Sequence, residues 1–488
     1  MLVMKFGGTS VGDAAAIRAT AVLIQQARQG WQDVVVVVSA MGSQPLKVTD
    51  LLLQGAEVAA ETWRPEAANQ QPPISRLDHS VSQLRAIHAA AAHSLLDAAG
   101  ERPALLAEID AILGRYEGLC RAGRVLGELT PRALDAIAGM GEQISARLVA
   151  AYLRQVGVPA QAVDATELIV TDDRFGAATP LWPETEARVA ERIRPLLAAG
   201  IMPIVTGFIG ATQTGVPTTL GRGGSDFSAA ILGRTLQADE VWIWTDVDGV
   251  KTADPRLVAD TQTIPQLTYR EVAELAYYGA KVLHPQTIRP CLEGGIPLRV
   301  KNTFNPEHPG TLIVPDAATS NGVGLKAVTA VKDLSLITVA GKGMLGVPGM
   351  AMRAFGAVAQ TQAHVLLISQ ASSEQSICFA TQAKVAQPVL DRLAHEFAPE
   401  LQRRDLDGIT AQQDVAIVTV VGKGLQRQPT LAGQVLTALG QRQVNVVAMA
   451  QGATDCSLSL VVQGGDTETA VAGIHHLLVG NGNGYAAL

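Results

Sequence analysis

Lysine, paired glycines and arginine recur in this chain where strands should give way to helices, a combination suited to handling phosphate. The segment MLVMKFGGTSVG carries Lys5 onto a Gly7–Gly8 turn, and a helix-forming run follows from near Asp13. Strand, glycine turn and helix N-terminus together aim backbone N–H groups at one spot, and glycines let a polyphosphate approach the main chain. Lys5 adds a mobile positive charge. The same pattern is also ordinary strand-to-helix punctuation with a solvated lysine, so its weight comes from what recurs downstream.

A second cluster, TTLGRGGSDFSAAIL, places Gly221, Gly223 and Gly224 ahead of a helix expected to begin near Ser225 or Asp226. Either of those residues suits an N-cap. Capping alone does not call for three glycines and Arg222, whose planar fork fits a carboxylate or a phosphate. In VWIWTDVDGVKTADPR an apolar strand ends in Thr245 and Asp246, and a polar turn follows with Asp248, Gly249, Lys251, Asp254 and Arg256. This composition suits nucleotide contact beyond a strand end, and equally a self-bonded surface turn. In ELAYYGAKVLHPQTI, Lys281 is placed to reach a phosphate, while His284 reads as a structural residue at a helix end. In GMGEQISARLVAAYL, Glu142 enters a long helix ahead of Arg147; helix polarity alone explains an early acid, but a substrate ammonium would need one.

The elements that must position these residues follow from pattern. Strands are expected at Val3–Phe6, Val34–Ser39, Ile201–Phe208, Val241–Thr245 and Leu298–Lys301. VVVVV is apolar at every position, as a strand covered on both faces should be. Helices are expected at Thr49–Glu61, Arg76–Ala99, Ala104–Ala122, Arg132–Gln155, Pro183–Ala199 and Asp226–Leu236, with a loop over Arg64 to Ser75. Alternation of this kind predicts a three-layer α/β/α sandwich around a mostly parallel sheet over residues 1–315.

Beyond residue 330 the chain repeats itself. LSLITVAGKGMLGVPGMAMRAFG lies over VAIVTVVGKGLQRQPTLAGQVLT without a gap, Thr338 pairing with Thr419 at an offset of 81 residues (419 − 338). Each copy reads strand, GKG turn, helix, strand, strand, helix, which fits a ferredoxin-like βαββαβ unit. The copies are set at 325–400 and 401–480, with an interleaved arrangement of the two left open. Units of this size bind small molecules, dimerise, or serve as duplicated packing modules.

Composition narrows the function. The chain has 488 residues, enough for two to four domains, and a net charge of −7 without long basic clusters, which argues against nucleic acid. No run approaches the roughly 18 apolar residues of a membrane span. No leader is recognised, so a cytoplasmic location is expected. The four cysteines (Cys120, Cys291, Cys378, Cys456) lie far apart, which speaks against disulfides and zinc and for reduced thiols.

KFGGTSV, GEQISARL, GRGGSDFSA, TDVDGVKTADPR and AYYGAKVLHP, in this order and followed by tandem ACT-like repeats, together resemble the aspartate kinase family over nearly the whole chain. The resemblance implies an amino-acid-kinase domain using ATP with Mg²⁺ to phosphorylate the side-chain carboxylate of L-aspartate, the entry to lysine, threonine and methionine biosynthesis. It assigns nucleotide contacts to Lys5, Phe6, Gly7, Gly8, Thr245, Asp246, Arg256 and Lys281. Lys251 stands where the family often has tyrosine. The substrate falls to Thr49, Glu142, Arg222 and Ser225, and catalysis to Lys5 and Asp226. GSQPLK, before Thr49, is longer than the family's loop. The second half looks most like the threonine-sensitive kinases fused to homoserine dehydrogenase, because Gln370 and Gln451 stand where a strand enters a turn; a monofunctional kinase is expected. Threonine is therefore favoured over lysine as effector, and a homodimer joined through the repeats is expected. Other amino-acid kinases share the glycine framework but not this motif order, and a non-catalytic sensor would not need Lys5, Arg222 and Asp226.

Overall fold

The computed structural model describes residues 1–43, 46–60, 73–280, 283–315, 324–370, 375–425, 430–451 and 456–480. The chain forms two compact units. The first takes Met1–Val250, Pro265–Tyr269 and Leu283–Ala318, and the second takes Lys251–Ile264, Arg270–Val282 and Thr319–Leu488.

In the first unit the strands are β1 (Leu2–Phe6), β2 (Val34–Val38), β3 (Gly42–Ser43), β4 (Leu46–Lys47), β5 (Ala160–Val163), β6 (Val170–Thr171), β7 (Met202–Thr206), β8 (Ile209–Thr212), β9 (Pro217–Thr219), β10 (Glu240–Thr245), β11 (Gln266–Thr268), β12 (Leu298–Asn302) and β13 (Thr311–Val314). The main sheet runs β11-β13-β12-β10-β1-β2-β7-β5 and is parallel except where β12 meets β13. Every residue of β1 and β2 is buried, which is why Val34–Val38 has no polar face. The helices are α1 (Ala14–Gly30), α2 (Val48–Ala60), α3 (Pro73–Leu95), α4 (Arg102–Leu126), α5 (Pro131–Ala138), α6 (Met140–Gln155), α7 (Trp182–Ala198), α8 (Gly224–Leu236), α9 (Tyr269–Tyr277), which runs on into the second unit, and α10 (Pro285–Gly294). Asp13 caps α1 by accepting from the Ala16 amide.

Three expectations change. The single helix over Arg132–Gln155 is two, divided at Gly139. His284 stands at the start of a helix rather than its end, since Pro285 is free to begin one. The loop expected over Arg64 to Ser75 lies mostly outside the described residues, and α3 already includes Pro73.

In the second unit a six-stranded antiparallel sheet is formed by β14 (Ala327–Ala340), β15 (Leu367–Gln370), β16 (Ser376–Gln382), β17 (Gly408–Val421), β18 (Ala448–Gln451) and β19 (Ser457–Gln463), ordered β15-β16-β14-β17-β19-β18. Helices α11 (Met350–Ala359), α12 (Ala386–Glu396), α13 (Ala398–Arg403), α14 (Leu431–Gln441) and α15 (Thr467–Gly480) complete the two copies. The long strands β14 and β17 pair along their length, Ala327–Val331 with Ile417–Val421 and Leu336–Ala340 with Gly408–Gln412. The duplication extends to the backbone: Asp333 and Asp414 both take positive φ (60° and 53°), as do Gln362 and Gln443 (56° and 58°). Asp333 sits at the register shift of β14, so each long strand bends at the same place.

Candidate functional site

The neighbouring parallel strands β10, β1, β2 and β7 end on one side of the sheet, and a cleft of about 690 Å³ lies beyond those ends. Its walls include Lys5, Gly7 and Gly8 from the first motif, Thr49, Glu142, the run Gly221–Asp226, and Thr245 and Asp246. Motifs far apart in sequence thus meet because the strand order makes their ends adjacent.

Lys5 is the residue before the end of β1, and its ammonium lies 2.6 Å from the Asp226 carboxylate in the first turn of α8. Asp226 does not cap that helix, and neither does Ser225. Gly223 is the N-cap, with left-handed backbone (φ 70°) and no side-chain cap. A Cβ on Gly223 would stand 2.9 Å from the Thr287 methyl, so glycine is needed here for conformation and for space. Neither Ser225 nor Asp226 thus takes the capping role open to it, and the Asp226 carboxylate meets Lys5 instead.

The Gly7 amide donates to the Trp244 carbonyl at 3.0 Å, tying the turn to the end of β10. Its neighbours Gly8 and Thr9 also line the cleft, and glycine there lets a phosphate approach the main chain. Phe6 is fully buried and stacks on Trp244 with ring centroids 5.9 Å apart, so it supports the turn from beneath.

Glu142 lies in the first turn of α6 and is only 4% exposed. A Cβ on Gly141 would stand 2.7 Å from the Ala40 methyl, so glycine lets the helix press against the segment after β2 and carries Glu142 under it. Burial lifts the Glu142 carboxyl to about 7, against amide hydrogen bonds from Ala40 and its own backbone and the nearby charge of Lys5. Its Oε2 is buried without a hydrogen-bond partner. A buried carboxylate with one unpartnered oxygen at a cleft wall fits a cationic ligand group. Arg222 is exposed on the glycine loop, available to an anion. Arg147 instead forks onto Asp164 at 2.9 and 3.1 Å.

Lys251 and Arg256 belong to the second unit, where Lys251 donates to Thr263 at 2.8 Å and Arg256 forks onto Asp254. Lys281 lies outside the described residues. Gln370 and Gln451 end strands β15 and β18 with exposed side chains.

The cleft also includes Thr9, Ser39, Lys47, Asp50 and Phe208, none of which the sequence singled out. Ser39 follows the end of β2 and was open to the rule that ligands sit beyond strand ends, whereas Lys47 closes the two-residue strand β4. Phe208 carried no such signal. It has positive φ (69°), its N–H donates to Ser228 Oγ at 3.0 Å, and its carbonyl accepts from the Leu220 amide at 2.8 Å, which clamps both ends of the glycine loop.

Among the described residues no group of three or more His, Cys, Asp or Glu side chains is arranged to hold a metal ion, and no helix is long and apolar enough to cross a membrane. No disulfide joins any of the four cysteines, and burial pushes the Cys120 and Cys291 thiols up to about 11 and about 12.

The model of the amino acid kinase family matches residues 1–302, and that of the ACT domain matches 337–397 and 418–478. Bifunctional aspartokinase/homoserine dehydrogenase 1, chloroplastic, of Arabidopsis thaliana is 35% identical over 481 residues, covering 97% of this chain and 50% of that protein. The chain thus spans about half the length of such bifunctional relatives. Aspartokinase 3, chloroplastic, of the same plant is 32% identical over 477 residues, covering 97% of this chain and 80% of its own. The crystal structure of E. coli aspartokinase III in complex with aspartate and ADP (R-state) aligns at a TM-score of 0.76 and 30% identity, covering 98% of this chain and 99% of that one.

Proposed function

The chain belongs to the aspartokinases of the amino acid kinase family, and from that premise we propose that it transfers the γ-phosphoryl group of ATP to the side-chain carboxylate of L-aspartate, giving 4-phospho-L-aspartate and ADP. The observation that carries this reading is the cleft itself: a buried Glu142 carboxylate with an unpartnered Oε2 for an ammonium, Arg222 and Ser225 for a carboxylate, and Lys5 on Asp226 beside a glycine turn for phosphate. An amino acid and a nucleotide together satisfy that set.

The acceptor carboxylate is already ionised at neutral pH, so no general base is required. Its oxygen attacks phosphorus as the bond to the leaving ADP oxygen breaks, and that oxygen keeps the electron pair. Catalysis then rests on alignment and charge neutralisation. Glu142, Arg222, Ser225 and Thr49 orient the substrate; Lys5, with the Gly7–Gly8 turn, holds the phosphates; Asp226 fixes Lys5. Thr245 and Asp246 meet the nucleotide from β10, and Lys251, Arg256 and Lys281 are assigned to it by family resemblance. Magnesium ions usually take one or two carboxylates plus substrate phosphates, so exposed Asp246 beside a nucleotide fits an ion that arrives with ATP. Bound there, it offsets phosphate charge.

In this reading the reaction opens lysine, threonine and methionine biosynthesis in the cytoplasm. An end-product amino acid binds the paired ACT repeats near Gln370 and Gln451 and lowers turnover, threonine in preference to lysine. Ile368 and Met449, 49% and 46% exposed on the edge strands β15 and β18, support a homodimer through the same region. The test is ADP release and hydroxylamine-trapped acyl phosphate with MgATP and L-aspartate, with and without threonine or lysine. Aspartate-dependent product with selective inhibition by threonine is expected. No turnover with aspartate would overturn the assignment, and inhibition by lysine alone would overturn the effector.

A further inference from the structure

The cleft is lined by three basic side chains, and two have duties already: Lys5 is matched by Asp226 at 2.6 Å, and Arg222, on the glycine loop, is assigned above to the substrate carboxylate. The third, Lys47, is exposed and has no hydrogen-bond or ion-pair partner among the described residues. Its place is nonetheless defined. Lys47 pairs across the β3–β4 rung with Gly42, whose amide donates to the Gly8 carbonyl at 3.1 Å. On its other side the Val48 amide donates to the Met41 carbonyl at 3.1 Å, and α2 begins. Lys47 therefore stands on backbone fastened to the Gly7–Gly8 turn, on the wall that also carries Thr49.

We propose that Lys47 binds the terminal phosphoryl group of the nucleotide. The inference rests on the phosphoryl-transfer reading above. An anionic carboxylate must approach an anionic phosphoryl, and the charge of Lys5 is already offset by Asp226, so a further side-chain cation at the reacting end would add to the neutralisation that a nucleotide-borne magnesium ion supplies. A lysine on a flexible stem with no competing partner suits a group that shifts during transfer, whereas a planar fork would favour one fixed geometry. Arg222 is left for the substrate carboxylate.

The test compares Lys47→Met and Lys47→Arg with the unaltered full chain, measuring calorimetric binding of ADP and of a non-hydrolysable ATP analogue, each with Mg²⁺. The expected result is that Lys47→Met weakens the analogue by about tenfold or more and ADP by less than about twofold, with Lys47→Arg recovering most of the loss. An unchanged analogue-to-ADP affinity ratio in Lys47→Met overturns the inference, as does an equal loss for both nucleotides. If the unaltered protein bound neither nucleotide, the phosphoryl-transfer reading itself would fail, and with it this proposal.

Discussion

Lys5 and Asp226 meet at 2.6 Å across the base of the cleft, one from a buried strand and the other from the first turn of a helix, with side chains only 10% and 19% exposed. Each holds the other's charge in place, so neither acts alone. Lys5→Ala and Asp226→Ala should each lower kcat by about a hundred- to a thousand-fold, and the double variant should be little worse than the worse single, because both remove one shared device. ADP release measures this, and circular dichroism checks that the variants stay folded. Near-normal turnover in either single variant would remove the pair from the mechanism.

Glu142 gives two pH signatures. Its folded carboxyl, raised by burial to about 7 from an ordinary 4.5, binds a proton more tightly than the unfolded chain does. Stability therefore falls as pH rises from about 4.5 to about 7. Glu142→Gln should be more stable than the unaltered protein at alkaline pH by about 1–3 kcal/mol, with the gap closing below the unfolded value; urea titrations at several pH values test this.

Substrate recognition should show the opposite face of the same ionisation. Only the carboxylate form pairs with an ammonium, so kcat/KM for aspartate should rise with pH through about 7. The Glu142→Gln variant should lack that limb and bind aspartate weakly throughout. A limb that persists in the variant would assign it to another group.

Gly223 sets the loop that presents Arg222 and Ser225. With φ at 70° and the Thr287 methyl 2.9 Å from a would-be Cβ, Gly223→Ala should cost about 1–2 kcal/mol in backbone strain and should also impair aspartate kinetics. Gly215→Ala is the control: it has positive φ (81°) but nothing within 4 Å, so it should lower the Tm while leaving KM for aspartate unchanged.

Within the second unit, Lys326 Nζ lies 2.9 Å from Glu271 Oε2, and the Glu271 side chain is wholly buried. Removing the cation takes a close charge partner from a buried carboxylate, so Lys326→Met should destabilise by about 3–5 kcal/mol, seen in urea unfolding. Gln370→Ala and Gln451→Ala, at exposed strand ends, should leave the melt unchanged while relieving inhibition by threonine. Full inhibition in both variants would move the effector site away from those glutamines.

Much of this protein is legible in its residues because the information is local. Val34–Val38 has no polar position and is a central strand; the 81-residue offset reappears as paired bends at Asp333 and Asp414. Short strands such as Ala160–Val163, Gln266–Thr268 and Thr311–Val314 escaped notice, since three or four residues carry too little pattern. The break at Gly139 did too, because apolar spacing continues through it.

The sequence by itself determined which residues could handle phosphate and an amino acid, since glycine turns, Lys5, Arg222 and Glu142 declare their chemistry by type and neighbours. Only the tertiary structure decided how they act together. Strand order placed β1 between β10 and β2, brought Lys5 onto Asp226 instead of leaving that acid as a cap, buried Glu142 with its Oε2 unpartnered, and set Lys47 beside the Gly7–Gly8 turn. These are contacts between distant segments, fixed by the packing of a whole sheet and invisible to any window of sequence.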